Sequence, residues 1–298
     1  MKILLLGKNG QVGWELQRAL APLGEVVALD FDSPGPLAAD FSKPESLAAT
    51  VRTVQPQIIV NAAAHTAVDK CESEPDLARA LNAASPAVLA REAKALGAWL
   101  MHYSTDYVFD GSGSTPWVED SPTGPLSVYG ATKLDGELAI RASGCQHLIL
   151  RTSWVYAARG GNFAKTMLKL AKERDRLTVI DDQFGAPTGA DLLADITAHT
   201  LRTALQRPDV AGTYHAVNQG ETHWHGYATH VIEFARSRGQ VIRVAPDAIV
   251  PVPTSAFPTP ARRPGNSRMN THKLRSTFDL SLPTWQAGVD RMLTEILS

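Results

Sequence analysis

The sequence predicts an α/β fold in which a doubly wound parallel sheet is combined with a smaller, interleaved C-terminal lobe. In the first half of the chain, short apolar runs alternate with longer amphipathic stretches, which is the pattern of successive βαβ units. Right-handed crossovers between such units make the strands parallel and place helices on both faces of the sheet. The predicted strands are residues 3–6, 26–29, 58–60, 99–101 and 148–150.

Helices are predicted between and after these strands. Three of them are introduced by a proline at or near the start, where the fixed φ of proline suits the first helical turn. Beyond Tyr156 the alternation is looser. The segment from Pro246 to Pro264 is rich in proline, and we expect an extended loop there instead of a packed element. The predicted helices are residues 11–20, 45–54, 76–96, 127–142, 162–174 and 190–205, with further strands at 178–180 and 214–217.

The composition argues against several classes of function. Hydrophobic residues make up 44% and charged residues 20% of the chain, as in an ordinary folded protein. A formal net charge of −1 gives no field that would attract nucleic acid or an anionic membrane, so neither partner is expected. The first apolar run is too short for a signal sequence or a membrane span. Cys71 and Cys145 are far apart and are interpreted as structural, so we expect a reduced, cytoplasmic location.

A glycine-rich segment directly after the first strand predicts a dinucleotide site. Gly7, Gly10 and Gly13 are spaced GxxGxxG, with Gln11 and Val12 between the last two, and an amphipathic helix follows. The first glycine permits the turn, the second lets the backbone approach a pyrophosphate, and the third lets the helix pack on the sheet. A Walker loop does not fit, because the Gly-Lys pair precedes the loop instead of closing it.

An acidic residue at the end of the second strand indicates how the ribose is bound. Asp30 lies near the position expected for an acid that binds the adenosine ribose hydroxyls, which favours NADH. Lys8 leaves NADPH open, because it could meet a 2′-phosphate. Further positions expected in the cofactor crevice, at or after the carboxyl ends of strands, are Asp40, Phe41, Ala63, Ala64 and His65.

These features predict a division of the chain into two parts. We expect residues 1–156 to form a dinucleotide-binding Rossmann domain, whose sheet is completed by parts of residues 190–218. Residues 157–298 are then mainly a substrate-binding lobe.

A hydroxyl, a tyrosine and a lysine form a candidate catalytic group. Tyr129 and Lys133 are spaced i,i+4 on a predicted helix and therefore share one face. A neighbouring ammonium stabilises the tyrosine phenolate, which makes the tyrosine a better proton donor. Thr105 follows the fourth strand, where its hydroxyl can polarise a substrate carbonyl as hydride arrives. Together with a Rossmann half, the group predicts reduction of a ketone.

The three elements resemble the extended branch of the short-chain dehydrogenase/reductase superfamily, which acts on nucleotide sugars. More narrowly, the sequence resembles the dTDP-4-dehydrorhamnose reductase family over nearly the whole chain. The segments that carry the narrower resemblance are residues 10–13, 61–69, 104–109, 151–156, 182–188 and 262–268.

The resemblance implies hydride transfer to C4 of dTDP-4-dehydro-L-rhamnose, the last step of dTDP-L-rhamnose synthesis, with Tyr129 as the proton donor. It implies that Thr105 and Asp106 meet the sugar and that Trp154 stacks against it. The cofactor contacts implied by the resemblance are Gly10, Gln11, Val12, Asp30, Asp40, Phe41, Ala64, His65, Thr66, Tyr103, Tyr129 and Lys133.

The resemblance also implies a homodimer with a structural magnesium ion near the first helix. Glu15 is the candidate ligand, and its partner would fall near Asp191. The aspartate is shorter than the glutamate expected at that position. Magnesium is not assigned a catalytic role, because hydride transfer to a ketone needs no metal.

Two other functions remain open from the sequence. A nucleotide-sugar epimerase or dehydratase of the same superfamily shares the glycine loop and the Tyr-Lys pair. A dehydratase often has an Asp-Glu pair after the strand-end threonine, whereas Asp106 is followed by Tyr107 here. A non-catalytic NAD(P)-binding regulatory subunit also has this fold, as the resemblance of the family to the β subunit of methionine adenosyltransferase shows. The intact Thr105, Tyr129 and Lys133 favour catalysis.

The second half contains two clusters of candidate binding groups, one of arginines and one of histidines. Arg262, Arg263 and Arg268 lie in the proline-stiffened segment and suit a guanidinium clamp on a substrate diphosphate, without a choice among them. A metal site is disfavoured for the histidines because their spacing fits no fixed zinc geometry. Thr222 is instead expected to cap a helix that begins at Trp224. The histidine cluster comprises His223, His225 and His230, with Glu221 nearby.

Overall fold

The computed structural model describes residues 1–33, 37 and 39–298 of the chain. The predicted α/β class is confirmed, because a six-stranded sheet with only parallel pairings forms its centre. In chain order the strands are β1 (Lys2–Leu6), β2 (Glu25–Leu29), β3 (Ile58–Asn61), β4 (Trp99–Thr105), β5 (His147–Thr152), β6 (Val155–Tyr156), β7 (Leu177–Ile180), β8 (Phe184–Gly185), β9 (Thr188–Gly189), β10 (Gly212–His215), β11 (Thr222–His223) and β12 (Ile249–Val252).

The helices alternate with the strands in the first half and dominate the second half. A five-residue π-helical segment, Ala80–Ala84, joins two of them into one continuous rod. No helix in the described part of the chain is long and apolar enough to cross a membrane. The α-helices are α1 (Gln11–Leu20), α2 (Pro44–Val54), α3 (Val68–Ser73), α4 (Pro75–Arg79), α5 (Ser85–Leu96), α6 (Val128–Ser143), α7 (Phe163–Glu173), α8 (Ala190–Ala204), α9 (Trp224–Ser237), α10 (His272–Phe278) and α11 (Trp285–Leu297).

The strand order of the central sheet creates a crevice at its carboxyl edge. The order is β10-β5-β4-β3-β1-β2, so the chain passes from β1 to β2 on one side and then returns to β3 on the other side of β1. Connections that leave in opposite directions open a gap above the carboxyl ends of the two strands, and ligands bind at such a switch point.

Two apolar layers cover the central sheet because successive strand residues face opposite sides. Leu5 on β1 points into the layer formed by α1, α8 and α10. Its neighbour Leu4 points into the layer formed by α2, α5 and α6. Both side chains are fully buried, as expected for a parallel sheet with helices on both faces.

The lobe has its own apolar clusters, formed mainly by α7, α9, α11 and a two-stranded sheet. Tyr227 and Trp285 pack edge to face in the first cluster, with ring centroids 6.0 Å apart. In the second cluster, Ile249 of β12 packs with Leu177 of β7, and the two strands run parallel in register.

Several local predictions were wrong. The segment 246–264 is not only a loop, since β12 lies inside it and pairs with β7. The helix predicted at 76–96, by contrast, is present as one continuous helical rod, although the π-helical turn Ala80–Ala84 within it was not predicted. Thr222 does not cap α9; the Nδ1 atom of His223 accepts the hydrogen bond from the Gly226 amide at 3.2 Å instead. α11 was not predicted at all.

Candidate active site

A cavity of about 900 Å³ opens at the carboxyl edge of the central sheet. It brings together segments that are distant in the sequence, from the glycine loop to the lobe. Among its lining residues, Phe31, Leu77 and Tyr107 were not predicted as site residues. The predicted site residues that line it are Gly7, Gly10, Gln11, Val12, Asp30, Asp40, Phe41, Ala63, Ala64, Thr66, Tyr103, Thr105, Asp106, Tyr129, Lys133 and Trp154.

The glycine loop closes one end of the cavity. Gly7 has a φ of 87°, a left-handed value that disfavours side chains, and a Cβ there would lie 2.7 Å from the amide nitrogen of Ala63. A Cβ on Gly13 would lie only 1.9 Å from the carbonyl oxygen of Gly7. The same atom on Gly10 would be 3.5 Å from that oxygen. Gly7 and Gly13 are therefore required by the fold, whereas Gly10 keeps the cavity side of the loop open.

Asp30 is fixed at the end of β2 by the glycine loop. Its Oδ2 accepts from the Asn9 amide at 3.0 Å, and its Oδ1 accepts from the Phe31 amide at 2.8 Å. The Asn9 side chain donates in turn to Asp32 at 3.3 Å. These bonds hold the Asp30 carboxylate at the cavity wall, where it can accept from ribose hydroxyls.

Three predicted site residues do not line the cavity. Gly13 packs α1 against the glycine loop. The His65 side chain points to Glu74, with its Nε2 atom 3.0 Å from the Glu74 carboxylate. Glu15 lies on α1, 3.6 Å from the guanidinium of Arg18.

Close packing of α6 brings Tyr129 beside the end of β4. Ser127 caps the helix by accepting from the Gly130 amide at 3.2 Å. A Cβ on Gly130 would lie 2.2 Å from the carbonyl oxygen of Tyr107, so α6 contacts the loop after β4 directly. The rings of Tyr107 and Tyr129 meet edge to face, with centroids 5.4 Å apart. Thr105 is hydrogen-bonded to Tyr129 in this arrangement.

Thr105 and Asp106 form a buried polar pair in the cavity. The Thr105 hydroxyl donates to Oδ1 of Asp106 at 3.0 Å and accepts from the Tyr107 amide at 3.2 Å. Burial raises the pKa of Asp106 to about 6, although hydrogen bonds with Ser267 and Thr105 oppose the shift. Asp106 is thus a carboxyl group that changes its charge close to neutral pH.

Burial opposes charge on both members of the tyrosine-lysine pair. It raises the pKa of Tyr129 above its ordinary value, and the hydrogen bond with Thr105 counteracts this. It lowers the pKa of Lys133 to about 8, against the attraction of Glu137. The Lys133 ammonium donates to the carbonyl oxygen of Tyr103 at 2.6 Å. Both groups are therefore in an environment that favours proton exchange over permanent charge.

Two stacked indole rings form the wall between the cavity and the lobe. Trp154 and Trp224 lie with centroids 3.7 Å apart and ring planes at 18°. Trp154 has a φ of 50°, an uncommon conformation for a bulky residue, and such strain is often found at ligand sites. Trp224 was predicted only as the start of a helix, and no sequence signal marked it as a site residue.

A second cavity of about 560 Å³ continues on the far side of Trp224. Its walls are apolar, with Phe163 and Met167 on α7, and three guanidinium groups lie at its edge. The indole Nε1 of Trp224 donates to Gln183 at 3.0 Å, which fixes the ring between the two cavities. The three arginines are Arg174, Arg176 and Arg263.

The three arginines predicted to bind the diphosphate lie in three different environments. Arg263 lines the second cavity and binds Asp69 at 2.7 Å. Arg268 stacks over the Phe184 ring at 4.2 Å and binds Glu221 at 2.7 Å. Arg262 is exposed and does not line the cavity.

The histidine cluster of the second half is divided among separate partners. His225 has its Nε2 atom 2.9 Å from the carbonyl oxygen of Ile249, and His230 has its Nε2 atom 2.7 Å from Asp290. His223 caps α9. Residues 1–33, 37 and 39–298 contain no group of three or more His, Cys, Asp or Glu side chains arranged to hold a metal ion.

Known proteins resemble this chain over its whole length. The family model described as the RmlD substrate binding domain matches residues 1–298. The dTDP-4-dehydrorhamnose reductase of Escherichia coli (strain K12) is 60% identical over 298 residues, which cover 100% of this chain and 99% of that protein. A crystal structure of a dTDP-4-dehydrorhamnose reductase from Clostridium acetobutylicum superposes with a TM-score of 0.88 at 34% identity, covering 100% of both chains. The Bacillus anthracis enzyme in complex with NADP gives a TM-score of 0.87 at 32% identity, covering 99% of both chains. This chain belongs to the dTDP-4-dehydrorhamnose reductase family.

Proposed function

We propose that this protein reduces the C4 ketone of dTDP-4-dehydro-L-rhamnose to dTDP-L-rhamnose with NADH or NADPH. The observation that carries the proposal is a single cavity that joins the glycine loop and Asp30 to Thr105, Tyr129 and Lys133. A nucleotide-binding end and a proton-donating end in one cavity are what a hydride-transfer enzyme needs.

The cofactor end is assigned to the residues that line the cavity around β1, β2 and β3. The backbone at Gly10 and the N-terminus of α1 would bind the pyrophosphate, and Asp30 would accept from the ribose hydroxyls. Asp40 and Phe41 lie on the same side, beyond β2. The reduced nicotinamide, when bound, supplies the hydride.

The reaction requires one proton in addition to the hydride. As hydride adds to C4, the carbonyl π electrons move to oxygen, and the Tyr129 hydroxyl transfers its proton to that oxygen to form the alcohol. The Lys133 ammonium stabilises the phenolate that remains, and a proton from solvent restores the tyrosine. Thr105 and Asp106 orient the ketone by hydrogen bonds beside Tyr129.

The nucleotide end of the substrate is assigned to the second cavity. The stacked rings of Trp154 and Trp224 would lie beside the sugar, because both line the main cavity and Trp224 also lines the second one. Apolar walls around Phe163 suit a base, and a guanidinium suits the diphosphate. Arg263 is our choice for that contact, since Arg262 and Arg268 do not line this cavity.

We also infer the division of labour along the chain. Residues 1–156 would form the dinucleotide-binding domain, with β10 and α8 joined to its sheet, and residues 157–298 would otherwise form the substrate lobe. The packing of α8 on the face of the sheet that carries α1 supports this assignment.

We further propose, from the family resemblance, a cytoplasmic homodimer with a structural magnesium ion. Within one chain the candidate ligands are engaged elsewhere, since Glu15 pairs with Arg18 and Asp191 with Arg291. Since no group of three or more metal-ligating side chains lies together among the described residues, a magnesium site at Glu15 would take further ligands from a second copy or from solvent. Light scattering of the purified protein with magnesium and with EDTA tests this: a monomer in both would contradict the dimer, and an unchanged dimer would contradict the metal.

The proposed activity is tested by oxidation of NADH and of NADPH, followed by absorbance, with dTDP-4-dehydro-L-rhamnose as substrate. NMR of the product should show dTDP-L-rhamnose. No oxidation of either cofactor would favour the non-catalytic regulatory subunit. Loss of water from a dTDP-hexose, or inversion of a sugar hydroxyl, without net oxidation of cofactor would favour a dehydratase or an epimerase.

A further inference from the structure

Asn61, His102 and Lys133 form a buried hydrogen-bonded row beside the active-site cavity. Asn61 ends β3, and His102 lies opposite it in the parallel register of β4. Lys133 reaches the row from α6. All three residues are buried, with at most 3% of each exposed. Solvent therefore cannot satisfy their polar atoms, and the hydrogen-bond pattern has to do so.

The direction of the first bond is determined by the backbone. The amide of Ala63 donates to Oδ1 of Asn61 at 3.1 Å. The other end of the carboxamide, Nδ2, lies 3.0 Å from Nδ1 of His102 and can only donate. Nδ1 of His102 therefore accepts, and the proton of the neutral imidazole is on Nε2.

The proton on Nε2 of His102 therefore points at the side-chain nitrogen of Lys133. Nε2 of His102 lies 3.3 Å from Nζ of Lys133. Burial and the nearby lysine keep the pKa of His102 well below its ordinary value, so the ring is neutral. An ammonium has no acceptor to offer to Nε2–H, whereas a neutral amine has a lone pair. The contact is thus favourable with the amine and unfavourable with the ammonium.

We propose that His102, oriented by Asn61, is a positioning residue that donates Nε2–H to Lys133 whenever this lysine is a neutral amine, and that it thereby favours the amine over the ammonium. The carbonyl oxygen of Tyr103 fixes a second direction of Nζ. The remaining direction is left for the cavity side. A lysine held in this way can exchange a proton near neutral pH, as an acid-base partner of Tyr129 should. The proposal rests on the proposed function only in giving Lys133 a catalytic role.

The other groups around Lys133 do not replace this effect. Glu137 attracts the ammonium, but its carboxylate already binds Arg151 at 2.7 and 2.9 Å and lies 3.8 Å from Arg141. Other titratable side chains near this part of the cavity include Tyr129 on α6, Tyr103 on β4, Asp106 and Tyr107 after β4, and Cys71 on α3, whose pKa is raised by burial to about 11.

The test follows the titration of Lys133 itself, by NMR of protein with isotope-labelled lysine Cε carbons. The Lys133 signal is assigned as the one missing from Lys133→Met. In His102→Met the imidazole donor is removed, so the midpoint of the Lys133 titration should rise by about one unit or more. A fall would mean that the imidazole accepts from the ammonium, and an unchanged midpoint would mean that His102 is only structural. Either result overturns the proposal.

A second variant protects the test against misfolding of the first. In Asn61→Asp the carboxylate accepts from His102, which moves the imidazole proton to Nδ1 and makes Nε2 an acceptor for the ammonium. The midpoint should rise by more than Asn61→Asp raises it in a His102→Met background, where only the direct attraction of the carboxylate remains, and an equal or smaller rise contradicts the proposal. The matched control is His147→Met. His147 is the first residue of the neighbouring strand β5, so it lies toward the amino end of the strands, away from the cavity at their carboxyl ends. It should leave the Lys133 midpoint where it is.

Kinetics separate this inference from the proposed function. In an active reductase, the basic limb of the pH profile of kcat/KM should move with the NMR midpoint in both variants. A rise of the midpoint in a protein that never oxidises NADH or NADPH would contradict the proposed function and leave the inference intact. If the Lys133 titration midpoint changes but the basic limb of the kcat/KM profile does not, protonation of Lys133 does not control the rate. That result would overturn the functional part of the inference.

Discussion

The Thr105 hydroxyl donates a 3.0 Å hydrogen bond to Oδ1 of Asp106, and both side chains are buried in the active-site cavity. While Asp106 is ionised, this bond occupies the only proton that Thr105 can donate. Protonation of Asp106 adds a second donor to the pair and frees one for the substrate. Because the pKa of Asp106 is raised to about 6, the pair changes its hydrogen bonding close to neutral pH.

Asp106→Asn should make the protein more stable at neutral pH. Burial raises the pKa of Asp106 from 3.8 to about 6, so the native state binds this proton more tightly than the unfolded state does. The resulting stability is complete below the unfolded pKa and is lost as pH rises through about 6. The free energy of unfolding of the variant should equal that of the wild type below about pH 4 and exceed it by up to about 3 kcal/mol above pH 7. Urea unfolding over this pH range measures the difference.

The control for this experiment is Asp209→Asn. Asp209 is exposed and paired with Arg207, which lowers its pKa instead of raising it. It should show no gain of stability with rising pH. An Asp106→Asn protein that is less stable than the wild type at neutral pH would mean that the carboxylate is stabilised in the fold.

Tyr129→Phe should lower turnover by about 10²- to 10⁴-fold, because the variant has no proton for the substrate oxygen. Cofactor affinity should stay nearly the same, since the ring and its edge-to-face contact with Tyr107 are retained. Steady-state kinetics and titration of NADH fluorescence measure the two effects. Tyr214→Phe also removes a buried hydroxyl, one that donates to Val210 far from the cavity, and should retain turnover.

Asp30→Ala should weaken binding of NADH more than binding of NADPH, because the carboxylate accepts from a free ribose hydroxyl but repels a 2′-phosphate. Equal losses for the two cofactors would remove Asp30 from the ribose site. Asp32→Ala is the matched control: Asp32 binds the same Asn9 as Asp30 does, but it does not line the cavity.

Two glycine substitutions should separate folding from binding. A Cβ on Gly13 would overlap the carbonyl oxygen of Gly7, so Gly13→Ala should destabilise the protein by about 1–3 kcal/mol or more. Gly10 has room for a Cβ and a φ of −67°, so Gly10→Ala should fold normally but bind cofactor more weakly. Thermal unfolding and NADH titration of both variants test this. Normal NADH affinity in Gly10→Ala would contradict the pyrophosphate assignment.

The parts of the site that the sequence predicted are those determined by local pattern. Gly7 and Gly10 belong to the turn between β1 and α1, and Gly13 lies in the first turn of α1. Tyr129 and Lys133 belong to one helical face. Each of these groups is recognisable within a few residues, because backbone geometry alone brings its members together.

The parts that were missed depend on pairing across the fold. β12 exists because its partner β7 offers a free edge, and nothing within a proline-rich segment indicates that partner. His102 reads as one more residue of a buried strand until the register places it opposite Asn61. Trp224 becomes a site residue only through its stack on Trp154, which follows β5. Such relationships are properties of the packed molecule.

The stack of Trp154 on Trp224 also limits how the protein can move. Trp154 belongs to the chain as it leaves the central sheet, and Trp224 begins the first turn of α9 in the lobe. Any hinge-like opening of the lobe must separate two apolar rings and expose their faces to water, which is unfavourable. The stacked indoles thus hold the lobe against the central sheet between the two cavities. A sugar bound beside them would contact a rigid surface.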